Sequence, residues 1–352
     1  MQRQGMKGVI YQNGSLDIRV DETAGLDGVA LLKRTIYGTN GVRYQHTGQE
    51  QKVSQLHKPL FFQLRQDNEL IGLYCLDERC IKAGSEYITA FYGRYLAVDD
   101  RHKSKGYGRL LKQEAIRYVE QHATAPSIFY AYIEEKNARS LSISLGEGFR
   151  SVATLKSYIF RRYTPQIDFR FRQVDPHQLD AIRSLLEKAY AAYTFINFAH
   201  IGYQNNYFVL EENGEIIAGI QANPVRWQFL DMPGLGGWVM MHLLPALSST
   251  RRFFNPANYQ FVVLEGLYLK KGAEDRLYAL LESVLAHFRL HSALWQIDSN
   301  DPHLALLTTA ESGPLSGFQK AIRTHVLVKA VGINESQLAL DLPQYISCFD
   351  FA

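Results

Sequence analysis

The stretch Tyr95–Leu111, YLAVDDRHKSKGYGRLL, constrains this chain more than any other. An apolar, β-favouring run ends in a charged bend, passes through K-S-K-G-Y-G and opens a helix. The first amides of a helix lack intrahelical acceptors and carry partial positive charge, so a strand feeding such a loop builds an anion site. Gly106 and Gly108 let an anion approach the backbone with no Cβ in the way. Lys103, Lys105 and Arg109 add full positive charge.

The flanking patterns place this loop in a topology. LFFQLRQ (60–66) and ELIGLYCLDERC (69–80) flank Asp67-Asn68, a good two-residue hairpin turn, and a Gly-Ser turn at 84–85 leads into EYITAFYGRYLAV (86–98). Upstream, Asp17–Val20 reads as a short strand and Leu26–Tyr37 as an amphipathic helix. The polar GTNGVRYQHTGQEQK that follows has no clear period and reads as a loop, or a loop with a short helix, long enough to be functional. Downstream come a helix (106–121), a strand SIFYAYI (127–133), a short helix Asn137–Leu145 and a last strand (152–163). The order β-α-β-β-β-α-β-α-β predicts an α/β (α+β) domain with a mixed sheet. Antiparallel strands precede the loop, and a parallel crossover follows it.

This order and its residues resemble the GNAT superfamily of acyl-CoA-dependent N-acyltransferases. In that family a strand leads into Q/R-x-x-G-x-G/A. Here the segment is Lys103-Ser104-Lys105-Gly106-Tyr107-Gly108, with lysine for the usual Gln or Arg. A second signature matches in spacing through Asn137, Ser140, Gly148 and Phe149. The resemblance covers roughly residues 15–163. It implies acetyl-CoA as the cofactor, with its pyrophosphate on the loop through Arg109. Asn137 and Ser140 would also contact the coenzyme. The pantetheine arm would lie between splayed strands along Leu96, Ala97 and Val98, one of whose amides would be the oxyanion donor.

The proton-transfer groups depart from the family pattern. Where many relatives carry a tyrosine acid seven residues after the asparagine, this chain has Ser144. Where some carry a glutamate base, it has Tyr92, with Glu86, Tyr95 and Glu134 nearby. Tyr92, Ser144 and Glu86 are therefore the catalytic candidates. On a regular strand Glu86 and Arg94 share the face of Tyr92.

Pro165 and the charged DFRFRQ mark the expected boundary between a domain 1–163 and a domain 164–352. The pattern then restarts: a strand (169–174), a helix capped by Asp175-Pro176, and a hairpin (207–230) turning at Asn213-Gly214. A strand (261–270), a helix (275–288), a strand (293–299) and THVLVKAV (324–331) complete it, with Asp301 and Gly317-Phe318 echoing Asn137 and Gly148-Phe149. The repeat at a separation of about 160–170 residues predicts two GNAT-like domains in tandem, each a central mixed β-sheet flanked by helices. Glu274 and Asp275 stand where the first copy has Tyr107 and Gly108. They would repel a pyrophosphate, so the second copy is expected to have lost the coenzyme. The aromatic and apolar loop 232–258 is expected to pack between domains or to line the acceptor pocket.

Composition narrows the partners. A net charge of +3 on 352 residues gives no concentrated basic face for nucleic acid. No run is long enough to span a bilayer and the N-terminus lacks a signal-peptide core, so a cytoplasmic protein with no membrane partner is expected. Cys75, Cys80 and Cys348 suggest neither a disulfide framework nor a metal site, and His287 and His291 lack a third ligand. The expected activity is transfer of an acetyl group to an amine of a small molecule or peptide. The chain would work as a monomer, its halves forming a pseudo-dimer, or as a homodimer. An acyl-CoA sensor without turnover is the alternative. A nucleotide-binding loop is disfavoured, because such loops sit early in parallel βαβ units.

Overall fold

Asp67 and Asn68 take φ of 50° and 65° in the computed structural model, the left-handed pair of a type I′ turn. The model describes residues 8–38, 41–123, 125–308, 312–313 and 323–351. That turn joins β4 (Pro59–Gln66) to β5 (Glu69–Ala83) in an antiparallel ladder, with β2 (Leu16–Asp21) antiparallel on the other side of β4. A further strand, β1 (Gly8–Asn13), pairs with β2; the sequence reading did not anticipate it. The polar stretch after α1 (Gly25–Arg34) forms a short strand, β3 (Arg43–His46), and a short helix, α2 (Gln49–Val53).

The chain divides into two compact units. The first comprises Met1–Ile81, Glu86–Val152 and His325–Gln337. Its strands run in the order β1-β2-β4-β5-β6-β7-β14, where β6 is Glu86–Val98, β7 is Ser127–Glu134 and β14 is Arg323–Val331. The helix α3 (Tyr107–His122) packs one apolar face on the sheet: Leu111, Ala115, Ile116 and Val119 meet Phe91, Phe129, Ala131 and Leu327 in one core. Leu327 comes from the far end of the sequence, so the first core is completed by β14.

The second unit comprises Lys82–Ser85, Ala153–Thr324 and Leu338–Ala352. Its strands run β8-β13-β12-β11-β10-β9: Arg150–Arg161, Ser292–Asp298, Tyr259–Leu269, Glu215–Asp231, Tyr207–Glu212 and Phe171–Gln173. β8 pairs antiparallel with β13 from Arg161↔Ser292 to Leu155↔Asp298. The strand 152–163, expected to close the first domain, thus belongs mostly to the second unit, and 324–331, expected to close the second, lies mostly in the first. The units exchange closing strands and do not divide at residue 163. The hairpin β10–β11 turns at Asn213-Gly214 as expected, with φ of 50° and 78°. Gly317-Phe318 lies outside the described residues.

Candidate active site

β6 and β7 run parallel, but their ladder covers only Thr89↔Ser127 to Tyr92↔Tyr130. It stops well short of the strand ends at Val98 and Glu134, so the strands splay where the resemblance places a pantetheine arm. Tyr95 lies just past the last rung with φ 57°. An aromatic residue in the left-handed region is a genuine outlier, and it breaks the regular alternation of β6 beside the splay.

The charged bend after β6 is held rigidly. The Asp99 amide donates to the Ile71 carbonyl at 2.8 Å, and the Asp99 carboxylate accepts from Arg34 (2.8 Å) and Arg101 (3.0 Å). Arg101 first, helped by the Arg101 amide, holds the Asp99 pKa down at about 2. Ser104 and Gly106 follow with φ of 66° and 83°. Gly106 is the N-cap of α3, with no side-chain cap bond and no acidic residue in the first turn. A Cβ on Gly106 would meet nothing within 4 Å, and one on Gly108 would meet only Val98 at 4.0 Å. An open, uncapped helix N-terminus fits a pyrophosphate. Lys103 is ion-paired with Asp100, whereas among the described residues Lys105 and Arg109 have no ion-pair partner. Those two cations are the ones left for an anion.

The second signature forms as expected. Asn137 caps α4 (Ala138–Gly146), its Oδ1 accepting from the Ser140 amide at 3.2 Å. Ser144 is 1% exposed and donates to the Ser140 carbonyl (2.9 Å). It accepts from the Lys112 Nζ at 2.5 Å. Lys112 is itself 3% exposed, with its ammonium 4.1 Å from the centre of the Phe149 ring. Burial, partly offset by Glu147, lowers the Lys112 pKa from 10.5 to about 7.

In the unfolded chain the lysine takes its proton below 10.5, in the fold only below about 7. Between these values the unfolded state binds more protons, so stability rises with pH, and the full cost is present below about 7. Lys112→Met is expected to stabilise the protein at neutral pH by about 1–4 kcal/mol. Thermal melts from neutral to alkaline pH should show this gain shrinking as pH rises. A constant gain would contradict a buried titrating lysine.

The remaining catalytic candidates separate. Tyr92 is buried in a polar aromatic cluster, its ring 5.0 Å from Tyr130 and 5.3 Å from Tyr132, with the guanidinium carbons of Arg79 and Arg94 4.8 Å and 5.5 Å from its centre. Arg79 also donates to Asp77 (2.9 Å) and to the Tyr130 hydroxyl (3.3 Å). Glu86 is exposed at the opposite end of β6, roughly 20 Å along the strand from the start of the splay. The structure does not bring Glu86 to the glycine loop at Gly106.

Sequence reasoning missed a group on the polar stretch after α1. Tyr37, Tyr44 and His46 form a ring cluster, with Tyr37–His46 at 4.5 Å, Tyr44–His46 at 5.4 Å and Tyr37–Tyr44 at 5.9 Å. Electrostatic interactions of Tyr37 with Tyr95 and Arg94, and of Tyr44 with Glu134, place the cluster beside the splayed ends of β6 and β7. Desolvation, then the cations Lys52 and Arg94, hold His46 well below its usual pKa, so it is neutral at physiological pH. Desolvation raises the Glu134 pKa, with Lys136 opposing. The only sequence signal was a long polar segment in which Tyr37, Tyr44 and His46 fall close together.

The second unit repeats the plan with altered contents. The parallel β12–β13 ladder covers Val262↔Ala293 to Leu264↔Trp295, and Gly266 lies just past its last rung with φ 61°. Here the gap is filled from within. Cys348 is buried in the core that also holds Leu264 and Trp295, one residue on each strand. Tyr345 donates to Glu265 (3.3 Å), and the Gln344 amide donates to Asp298 (2.9 Å). At the loop, Glu274 accepts from the Gly272 amide at 3.1 Å. Backbone amides lower the Glu274 pKa. Asp301 caps its own turn through the His303 amide, as Asn137 does. Among the described residues no cluster of His, Cys, Asp or Glu is placed to hold a metal.

Residues 32–143 match the family model described as Acetyltransferase (GNAT) family. No curated protein matches the chain. Among solved structures, the N-myristoyltransferase of Saccharomyces cerevisiae with bound myristoyl-CoA is similar at 11% identity, covering 94% of this chain and 86% of that one, with a TM-score of 0.63. GCN5-related N-acetyltransferases from Anabaena variabilis (9% identity, 89% and 72% covered, TM-score 0.51) and Kribbella flavida (13%, 90% and 72%, 0.50) are also similar. The fold is the mixed α/β fold of these structures, with two GNAT-like lobes. Over residues 32–143 the chain thus carries a match to the GNAT acetyltransferase family.

Proposed function

We propose that the first unit transfers an acetyl group from acetyl-CoA directly to an amine of a small molecule or peptide. The reading rests on one observation: the β6–β7 ladder ends at Tyr92↔Tyr130, leaving the β7-facing edge of β6 open from there to Val98, which leads into the uncapped loop at Gly106. The coenzyme supplies an activated thioester. The loop amides, Lys105 and Arg109 bind its pyrophosphate, and backbone along Leu96, Ala97 and Val98 receives the pantetheine and polarises the carbonyl. The amine nitrogen bonds to the acyl carbon as the carbon–sulfur bond breaks; the amine loses a proton and the leaving sulfur gains one. His46, neutral and next to the splay, is the base that takes the amine's proton. The second unit holds no coenzyme: Glu274 occupies its helix N-terminus and the 344–350 segment fills its splay.

The buried, doubly engaged Ser144 and the remote Glu86 support a second reading, an acyl-CoA sensor without turnover. Calorimetry with acetyl-CoA and longer acyl-CoA esters, followed by thiol release across a panel of amines, separates the two. Binding with amine-dependent release supports transfer, and binding without release at any amine supports sensing. No binding of any ester would defeat both.

A further inference from the structure

From Met232 to Leu264 the sequence has no aspartate or glutamate, the nearest being Asp231 and Glu265. Within this stretch, in the second unit, a helical run begins at Gly234, passes through a π-helical turn at Val239–Leu243 and ends at Ala246. Residues three or four apart share a face of an α-helix, and a π turn brings together residues five apart. Leu235 and Trp238 are three apart and Trp238 and Leu243 span the π turn, so these three share a face; Leu247, with extended backbone, follows directly on the end of the run. Together the four make one apolar stripe. They are 82%, 53%, 50% and 54% exposed. The expected packing of loop 232–258 does not cover them.

The chemistry of the stripe selects its partner. From Gly234 to Leu247 His242 is the one ionisable side chain, lying against Trp238 with ring centres 5.6 Å apart. A protein interface of this kind would carry a polar rim of hydrogen-bonding groups, and the stripe has almost none. One turn on comes exposed Arg251, whose amide donates to the Leu247 carbonyl at 2.9 Å. Exposed Arg252 follows, its guanidinium 4.1 Å from the centre of the Tyr163 ring. Tryptophan and leucine on one face, flanking arginines and no carboxylate are what an anionic lipid surface attracts. Among the described residues no helix is long and apolar enough to cross a membrane. We infer that the stripe Leu235–Trp238–Leu243–Leu247 seats the second unit on the surface of an anionic bilayer, in the interfacial plane.

The test uses the full chain with vesicles of phosphatidylcholine alone or mixed with phosphatidylglycerol. Trp295 is buried and Trp227 partly so, which leaves Trp238 as the reporter. Co-sedimentation with the anionic vesicles, a blue shift of tryptophan emission and weakening at raised salt are expected. The double variant Leu235→Ser, Trp238→Ser should bind about tenfold or more less tightly while its acetyl-CoA affinity stays at the parent value. Equal binding to both vesicle types, no binding to either, or concentration-dependent self-association without vesicle binding would overturn the inference.

Discussion

Gly106→Asp is expected to weaken acetyl-CoA binding by about 100-fold or more, while the protein still folds. Two effects act at this position. Gly106 holds φ 83° at the N-cap of α3, so any side chain pays backbone strain of about 1–2 kcal/mol. A carboxylate here also accepts the first amides of α3 and presents a negative charge to the incoming pyrophosphate. The space about Gly106 is open, so the side chain meets no packed core and the loss is of binding, not of fold. Gly106→Ala carries the strain without the charge and should lose much less affinity. Titration calorimetry on both variants, with melting temperatures in parallel, checks this. Parent affinity in Gly106→Asp would remove the anion site from the first unit. The second unit carries an acidic residue one position on from the matching one, where Glu274 accepts the Gly272 amide.

Local structure was legible where a short-range rule decides it. The turns at Asp67-Asn68 and Asn213-Gly214, the cap at Asn137 and the glycine N-cap at Gly106 each follow from one or two residues whose conformational preferences stand alone. The exchange of β8 and β14 was not legible. Both strands carry an apolar pattern that either unit would accept, and which unit receives them is settled by partners more than about 130 residues away, such as Ser292 for Arg161 and the core that Leu327 shares with Phe129. Lys112 was hidden for a related reason. A lysine in an amphipathic helix is ordinarily solvated, and only the approach of α4, carrying Ser144, encloses it. Tyr95 gave no warning either, because a tyrosine has no preference for positive φ; the surrounding strands impose it.

His46→Gln is expected to lower the rate of amine acetylation by roughly 10²–10⁴-fold, with acetyl-CoA affinity close to that of the parent. Glutamine keeps a polar group of similar length between Tyr37 and Tyr44 but takes up no proton. The parent should also show an acid limb in its rate profile well below pH 6.5, because burial, Lys52 and Arg94 all disfavour the imidazolium. The same shift acts on stability. The folded pKa lies below the unfolded value, so the unfolded chain takes the proton first as pH falls. Stability present above about 6.5 is then lost as pH drops toward the folded pKa. In His46→Gln both the rate limb and this part of the acid destabilisation should be absent. Glu134 and Lys136 at the end of β7 and Tyr95 on β6 also face the cluster, so Glu134→Gln serves as the control for another ionisation. A His46→Gln enzyme with parental rate and an unchanged acid limb would show that the proton leaves by another group. Loss of coenzyme affinity together with rate would instead make His46 part of the coenzyme groove.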